Sequence, residues 1–142
     1  LVEKFGYETP SLEDIFTLLE QLAPQIAEFG TFNYCLSNGQ ALFSYATTKL
    51  HWIVREYPFQ SARLIDLEVE VDFSDVTTSD DRVAVITTEP LTKNEEWQAY
   101  RPGEMILFQG GRPIKTALTT IDRLIREEKN PELKRITKAD QY

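Results

Sequence analysis

The chain has one cysteine, one histidine and one methionine among its 142 residues. A lone Cys35 closes no intramolecular disulfide. With His51 as the only imidazole, a His/Cys metal site of structural type cannot be assembled. Positive charge is also scarce: 15 Lys and Arg stand against 23 Asp and Glu, for a net charge of −8. Such a surface repels phosphate backbones and anionic lipid, so neither nucleic acid nor membrane is an expected partner. No apolar run approaches the roughly 18 residues that argue for a membrane span. The start, Leu1 to Phe5, lacks the apolar stretch of a signal peptide. The unpaired thiol fits a reducing, cytoplasmic setting. The chain also lacks an initiator methionine, so a fragment or a processed product is expected.

What is present suffices for a core. Hydrophobic residues make up 42% and aromatics 11%, which excludes disordered and collagen-like classes. The length is that of one domain, and residues 1–142 read as a single unit without repeats or an internal linker. Ser11, with Asp14 three residues on, reads as a helix start after Pro10. Ile15, Leu18, Leu19, Leu22, Ile26 and Phe29 then form an apolar stripe at helical spacing. Gly30 is a stop, and Pro24 predicts a kink or a split.

A strand-rich block follows. Phe32–Leu36 and Ala41–Ala46 flank Asn38-Gly39, a hairpin signal because both residues tolerate positive φ. Leu50–Arg55 is a third strand. From Leu67 to Phe73 the chain alternates strictly, with Leu67, Val69, Val71 and Phe73 on one face and Asp66, Glu68, Glu70 and Asp72 on the other. Arg82–Thr88 is more continuously apolar and predicts a central strand covered on both faces. Glu104–Phe108 is a further strand. Gly110-Gly111 turns it into Arg112-Pro113-Ile114, and Lys115 to Glu128 read as a helix before a charged tail. The expected fold is α+β, with a largely antiparallel sheet and helices packed on one side.

No catalytic set emerges from these residues. The carboxylate face from Asp66 to Asp72 spaces its groups about 7 Å apart, too far for several to hold one ion, and reads as a solvated strand face. Cys35 sits in an apolar strand without a cationic partner and reads as buried and structural. His51, beside Trp52, reads as a surface or edge residue. Gly110-Gly111 lacks the Gly-Lys-Ser/Thr of a phosphate loop, and Asp80-Asp81 reads as a turn. Trp97 and Tyr100 read as plugs at a core edge.

One order of residues resembles a known family. It runs Phe32-Asn33-Tyr34-Cys35-Leu36-Ser37-Asn38-Gly39, Leu50-His51-Trp52-Ile53 and Val69–Ser74. Next come Thr88, Pro90-Leu91-Thr92, Asn94-Glu95 and Trp97, and then Pro102-Gly103-Glu104. This series resembles the C-terminal half of the small bacterial class II glutamine amidotransferases, from the first helix to about Ile114. The resemblance implies an N-terminal-nucleophile fold, with two packed antiparallel sheets between helix layers. It also implies a reaction in which an N-terminal cysteine attacks the amide of glutamine. The α-amino group of that cysteine is the base; ammonia passes to an acceptor and glutamate remains.

The nucleophile, an arginine, an oxyanion-hole Asn-Gly pair and a substrate-binding aspartate all belong to the family's first half. Leu1 carries no nucleophile, and Cys35 is internal. Asn38-Gly39 matches a hairpin turn and not the family's earlier Asn-Gly pair. No catalytic, cofactor-binding or metal residue carries over, and no cofactor is implied. The expected partner is the N-terminal half bearing the cysteine, or a second copy of this chain, since half a sandwich leaves an apolar face to cover. The other reading is a standalone, non-catalytic α+β binding or interaction domain.

Overall fold

The computed structural model describes residue 6, residues 9–57, 62–63, 70–71 and 80–130, with only the backbone at 62–63 and 70–71. Helix α1 spans Leu12–Ala27. Its start is the expected capping box. The Asp14 amide donates to Ser11 Oγ at 3.1 Å, and the Ser11 amide donates to Asp14 Oδ2 at 3.2 Å. Pro24 lies inside the helix but does not divide it. A proline removes only its own amide from the ladder, and this one sits in the last turn. Next to it, Gln25 Nε2 donates to the Gln21 carbonyl at 3.0 Å.

Strands β1 (Asn33–Ser37) and β2 (Leu42–Ala46) form the predicted hairpin. Strand β3 spans His51–Glu56, β4 is Ala62–Arg63 and β5 is Glu70–Val71. Strand β6 spans Arg82–Thr87, β7 is Gln98–Ala99, β8 is Glu104–Gln109 and β9 is Arg112–Leu118. Helix α2, Asp122–Lys129, follows. A first sheet has the order β1-β2-β8-β9 and a second the order β6-β3-β7, while β4 and β5 pair separately. Every strand pair is antiparallel. Two helices and antiparallel sheets make the fold α+β, as expected.

The core has two layers. On one face of the first sheet, Phe43, Tyr45, Met105 and Leu107 pack against Ile15, Phe16, Ala23 and Ala27 of α1, joined by Ile121 and Leu124 from the start of α2. On the other face, Ala46, Ile106 and Phe108 pack beneath Trp52, Ala84 and Ile86 of the second sheet. The Trp52 and Phe108 rings meet edge-on, with centroids 5.7 Å apart.

Several expectations need correction. The strand buried on both faces is β8, whose Met105-Ile106-Leu107-Phe108 alternate between the two layers. Among the described residues β6 is an edge strand of the second sheet. Lys115 to Leu118 belong to β9 and not to a helix; the helix starts seven residues later than expected, at Asp122. The strand wins because every second residue from Pro113 to Ala117 turns toward α1, where Lys115 lies over the Phe16 ring and pairs with Glu13. Phe29 lies beyond the end of α1 and is 93% exposed, outside the core stripe. Of the expected Leu67–Phe73 strand, Glu70–Val71 forms β5. Leu67, Val69 and Phe73, and with them Asp66, Glu68 and Asp72, lie outside the described residues.

Candidate functional site

The residues weighed for chemistry fall in separate places. Asn38-Gly39 closes the β1–β2 hairpin. Asn38 Oδ1 accepts from the Gln40 and Ala41 amides, both at 3.0 Å, and Gly39 has φ +86°. The amide side chain is thus consumed by its own turn, as a hairpin requires. Gly110 and Gly111, at φ +57° and +71°, turn β8 into β9. His51 opens β3 and holds the Thr88 carbonyl through Nδ1 at 3.0 Å. Tyr100 is buried, and its hydroxyl shares a 2.6 Å hydrogen bond with Ser44 between the two sheets. Cys35 is not buried, contrary to expectation: β1 is the edge of its sheet among the described residues, and the thiol is exposed. Partial burial still pushes the thiol above its ordinary value, so little thiolate is available for attack. No group of three His, Cys, Asp or Glu side chains converges among the described residues.

Two arrangements stand out instead. The first is a polar network over the second sheet. Arg55, on β3, donates to both oxygens of Glu95, at 2.8 and 2.6 Å. Thr92 Oγ1 donates to Glu95 Oε2 and accepts from Trp97 Nε1, the latter at 2.9 Å. Both partners of the ion pair are more than four-fifths buried. The Arg55 guanidinium holds the Glu95 carboxyl below the usual carboxylate range; burial opposes this and Thr92 assists it. The network fixes the loop between β6 and β7, giving Thr92, Glu95 and Trp97 a structural task. Sequence reasoning missed Arg55, although a lone basic residue ending the His51-Trp52-Ile53-Val54 run was a signal. Trp97, expected as a plug at a core edge, is half-buried and is held through its indole N–H by Thr92.

A second anchor of the same kind is Gly103. Its φ is +85°, and a Cβ there would overlap the Thr119 carbonyl oxygen. Its amide donates to the Ala46 carbonyl at 2.7 Å, and its carbonyl accepts from the Thr119 amide at 2.8 Å. Only glycine meets both demands at this junction. Beside it, Glu104 accepts from the Arg101 amide and guanidinium.

The second arrangement is an open groove of about 240 Å³ between α1 and β1. Leu19, Leu22 and Ile26 form the helix wall; Phe32, Tyr34 and Leu36 form the strand wall, with Cys35 beside them. No charged side chain lines it. Leu22, Ile26 and Leu36 are 39%, 51% and 38% exposed. It offers apolar contact and no reactive group.

This arrangement of sheets and helices is shared with a known protein structure. Residues 1–132 match the family described as glutamine amidotransferases class-II, and the chain belongs to that family. Its relatives include the Escherichia coli K12 protein YafJ, provisionally named a glutamine amidotransferase. YafJ is 43% identical over 114 residues, which are 80% of this chain and 45% of YafJ. A Haemophilus influenzae protein with the same provisional name is 38% identical over 111 residues, 78% of this chain and 38% of its own length. The crystal structure of a predicted glutamine amidotransferase from Pseudomonas aeruginosa PA01 superposes with a TM-score of 0.69. That likeness has 38% identity and covers 80% of this chain and 45% of the other. The chain thus spans less than half the length of these relatives, and the family match runs past Ile114 through α2.

Proposed function

We propose that this chain is the scaffold portion of a class II glutamine amidotransferase of the N-terminal-nucleophile type. The nucleophile and the glutamine-binding residues would reside in the length of the relatives that it does not span. The carrying observation is the pairing of a family match over residues 1–132 with 45% coverage of YafJ. In the complete enzyme a terminal cysteine sulfur attacks the glutamine carboxamide carbon, and its own α-amine takes up the thiol proton. Ammonia leaves toward an acceptor, and water releases glutamate from the thioester. This chain's part is to hold the sheets against which that site is built. Glu95, Arg55 and Gly103 act at the level of loop and junction geometry. A reducing cytoplasm suits both a nucleophilic thiol and the unpaired Cys35. Among the described residues no helix is long and apolar enough to cross a membrane.

The test is the native form in source cells, detected with an antibody against this chain. The reading predicts a polypeptide with the additional length of the relatives, or a tightly bound second chain with an N-terminal cysteine. A 16.4 kDa species without a second chain contradicts it and favours a free-standing binding domain.

A further inference from the structure

The Asn38-Gly39 turn has no task in the glutaminase chemistry, yet it sets a carboxamide beside the least hindered amide nitrogen a backbone offers. We propose that Asn38 is a site of spontaneous deamidation, and that the closed tip of the β1–β2 hairpin is the gate that keeps it unreacted. The proposal does not rest on the scaffold reading.

The chemistry needs only water. The Gly39 amide nitrogen gives up its proton to hydroxide and attacks Asn38 Cγ, closing a five-membered ring. Nδ2 takes up a proton from water and leaves as ammonia, so the first product is a cyclic imide. Water then adds to either imide carbonyl, and ring opening gives aspartate or isoaspartate. One water enters, one ammonia leaves, and nothing is oxidised or reduced.

The chain has asparagines at positions 33, 38, 94 and 130, and the residue after each sets them apart. Asn130 precedes Pro131, which has no N–H to lose. Asn94 precedes Glu95, whose side chain crowds the approach. Asn33 precedes Tyr34, whose amide faces β2 in the ladder set by the Thr47–Phe32 and Asn38–Ala41 hydrogen bonds. Asn38 alone precedes a glycine, at an exposed turn where a Cβ on Gly39 would meet nothing within 4 Å. No neighbouring atom blocks closure of the ring.

Hydrogen bonds hold it back instead, and they hold both reacting groups. Asn38 Oδ1 accepts from the Gln40 and Ala41 amides, both at 3.0 Å, which fixes the carboxamide over the turn. The Gly39 amide donates to Ser37 Oγ at 3.1 Å, and Ser37 Oγ donates to the Ala41 carbonyl at 3.0 Å. Attack requires the Gly39 N–H to leave Ser37 and the carboxamide to turn away from its two donors. Reaction is therefore drawn from the molecules in which the tip has opened. It is also one-way. Aspartate keeps an oxygen for the Gln40 and Ala41 amides, whereas isoaspartate adds a methylene to the main chain and spoils the Asn38–Ala41 pairing. Either product adds a negative charge to a chain already at −8.

The test follows each asparagine by fragment mass spectrometry, in the folded chain and in the same chain unfolded in guanidinium chloride, at one mildly alkaline pH. The expected result is conversion at Asn38 ahead of Asn33 and Asn94 in both states. Conversion at Asn38 should be at least about tenfold faster unfolded than folded, the weight of one or two net hydrogen bonds. Ser37→Ala removes the acceptor of the Gly39 N–H and should speed conversion in the folded chain while leaving the unfolded rate unchanged. Equal rates in the folded and unfolded parent overturn the gate, whether or not the variant folds. A folded Ser37→Ala chain that converts no faster than the parent also overturns it. Absence of conversion at Asn38 in the unfolded chain, or conversion led by Asn33 or Asn94, overturns the site itself.

Discussion

Arg55, Thr92, Glu95 and Trp97 set how the β6–β7 loop lies on the second sheet, and their chemistry makes the arrangement sensitive to acid. The Glu95 carboxyl titrates below its ordinary value of 4.5 because Arg55 bonds its charged form. A depressed carboxylate contributes stability that is fully present above the unfolded value and is lost as pH falls through the folded one. The loop should therefore loosen below pH 4.5. Glu95→Gln leaves Arg55 without its carboxylate partner in a largely buried position and should cost about 3 kcal/mol at neutral pH. It should also flatten the acid limb of the stability curve. Urea unfolding at neutral and acid pH measures both effects. An acid limb as steep in the variant as in the parent would remove Glu95 as its cause. The sequence carried the type of these residues but not their partners: Arg55 and Glu95 lie 40 positions apart, and no local pattern links them.

At the scale of elements, α2 is held to the end of α1 by charged contacts as well as by the apolar packing of Ile121 and Leu124. Helix α1 has no basic residue in its own last turn. Arg123 donates through Nε to the Ala27 carbonyl at 2.9 Å, and its amide donates to Glu28 at 2.9 Å. Arg126 completes the clasp on Glu28. A guanidinium against the last carbonyls complements the negative end of the helix dipole. Arg123→Met keeps much of the aliphatic contact and removes the charged hydrogen bonds, at a cost of about 2 kcal/mol. Hydrogen exchange should quicken across α2 while α1 stays protected; equal acceleration in both helices would contradict the clasp.

Elements with local signals were legible. The Ser11–Asp14 box, the Asn38-Gly39 hairpin and the Gly110-Gly111 turn each need only neighbouring residues. Strands β6 and β8 both read as apolar runs, and only the assembled layers tell the edge strand from the doubly covered one. The α2 start was misplaced because Leu118, Ile121, Leu124 and Ile125 keep helical spacing across a strand–helix junction. The groove was hidden for a related reason. Ile26 and Phe29 continue the apolar stripe of α1, and periodicity alone cannot show that the sheet beneath ends before they are covered.

For the whole molecule, a net charge of −8 accompanies a two-layer core and, among the described residues, a first sheet whose β1 edge is unpaired. Family membership was legible from the order of Thr92, Glu95, Trp97 and Gly103, which the structure ties to loop and junction geometry. The groove between α1 and β1 was not, because the helix and the strand form it only in three dimensions. The central proposal is that this chain is a scaffold portion of a glutamine amidotransferase and does not itself release glutamate. Its most direct test is glutamate release from glutamine, measured for this chain alone and for this chain combined with the part of YafJ that the match leaves uncovered. The account predicts no release above the uncatalysed rate from the chain alone and release from the pair. Release by the chain alone, abolished by Cys35→Ser, would contradict it and make Cys35 the nucleophile.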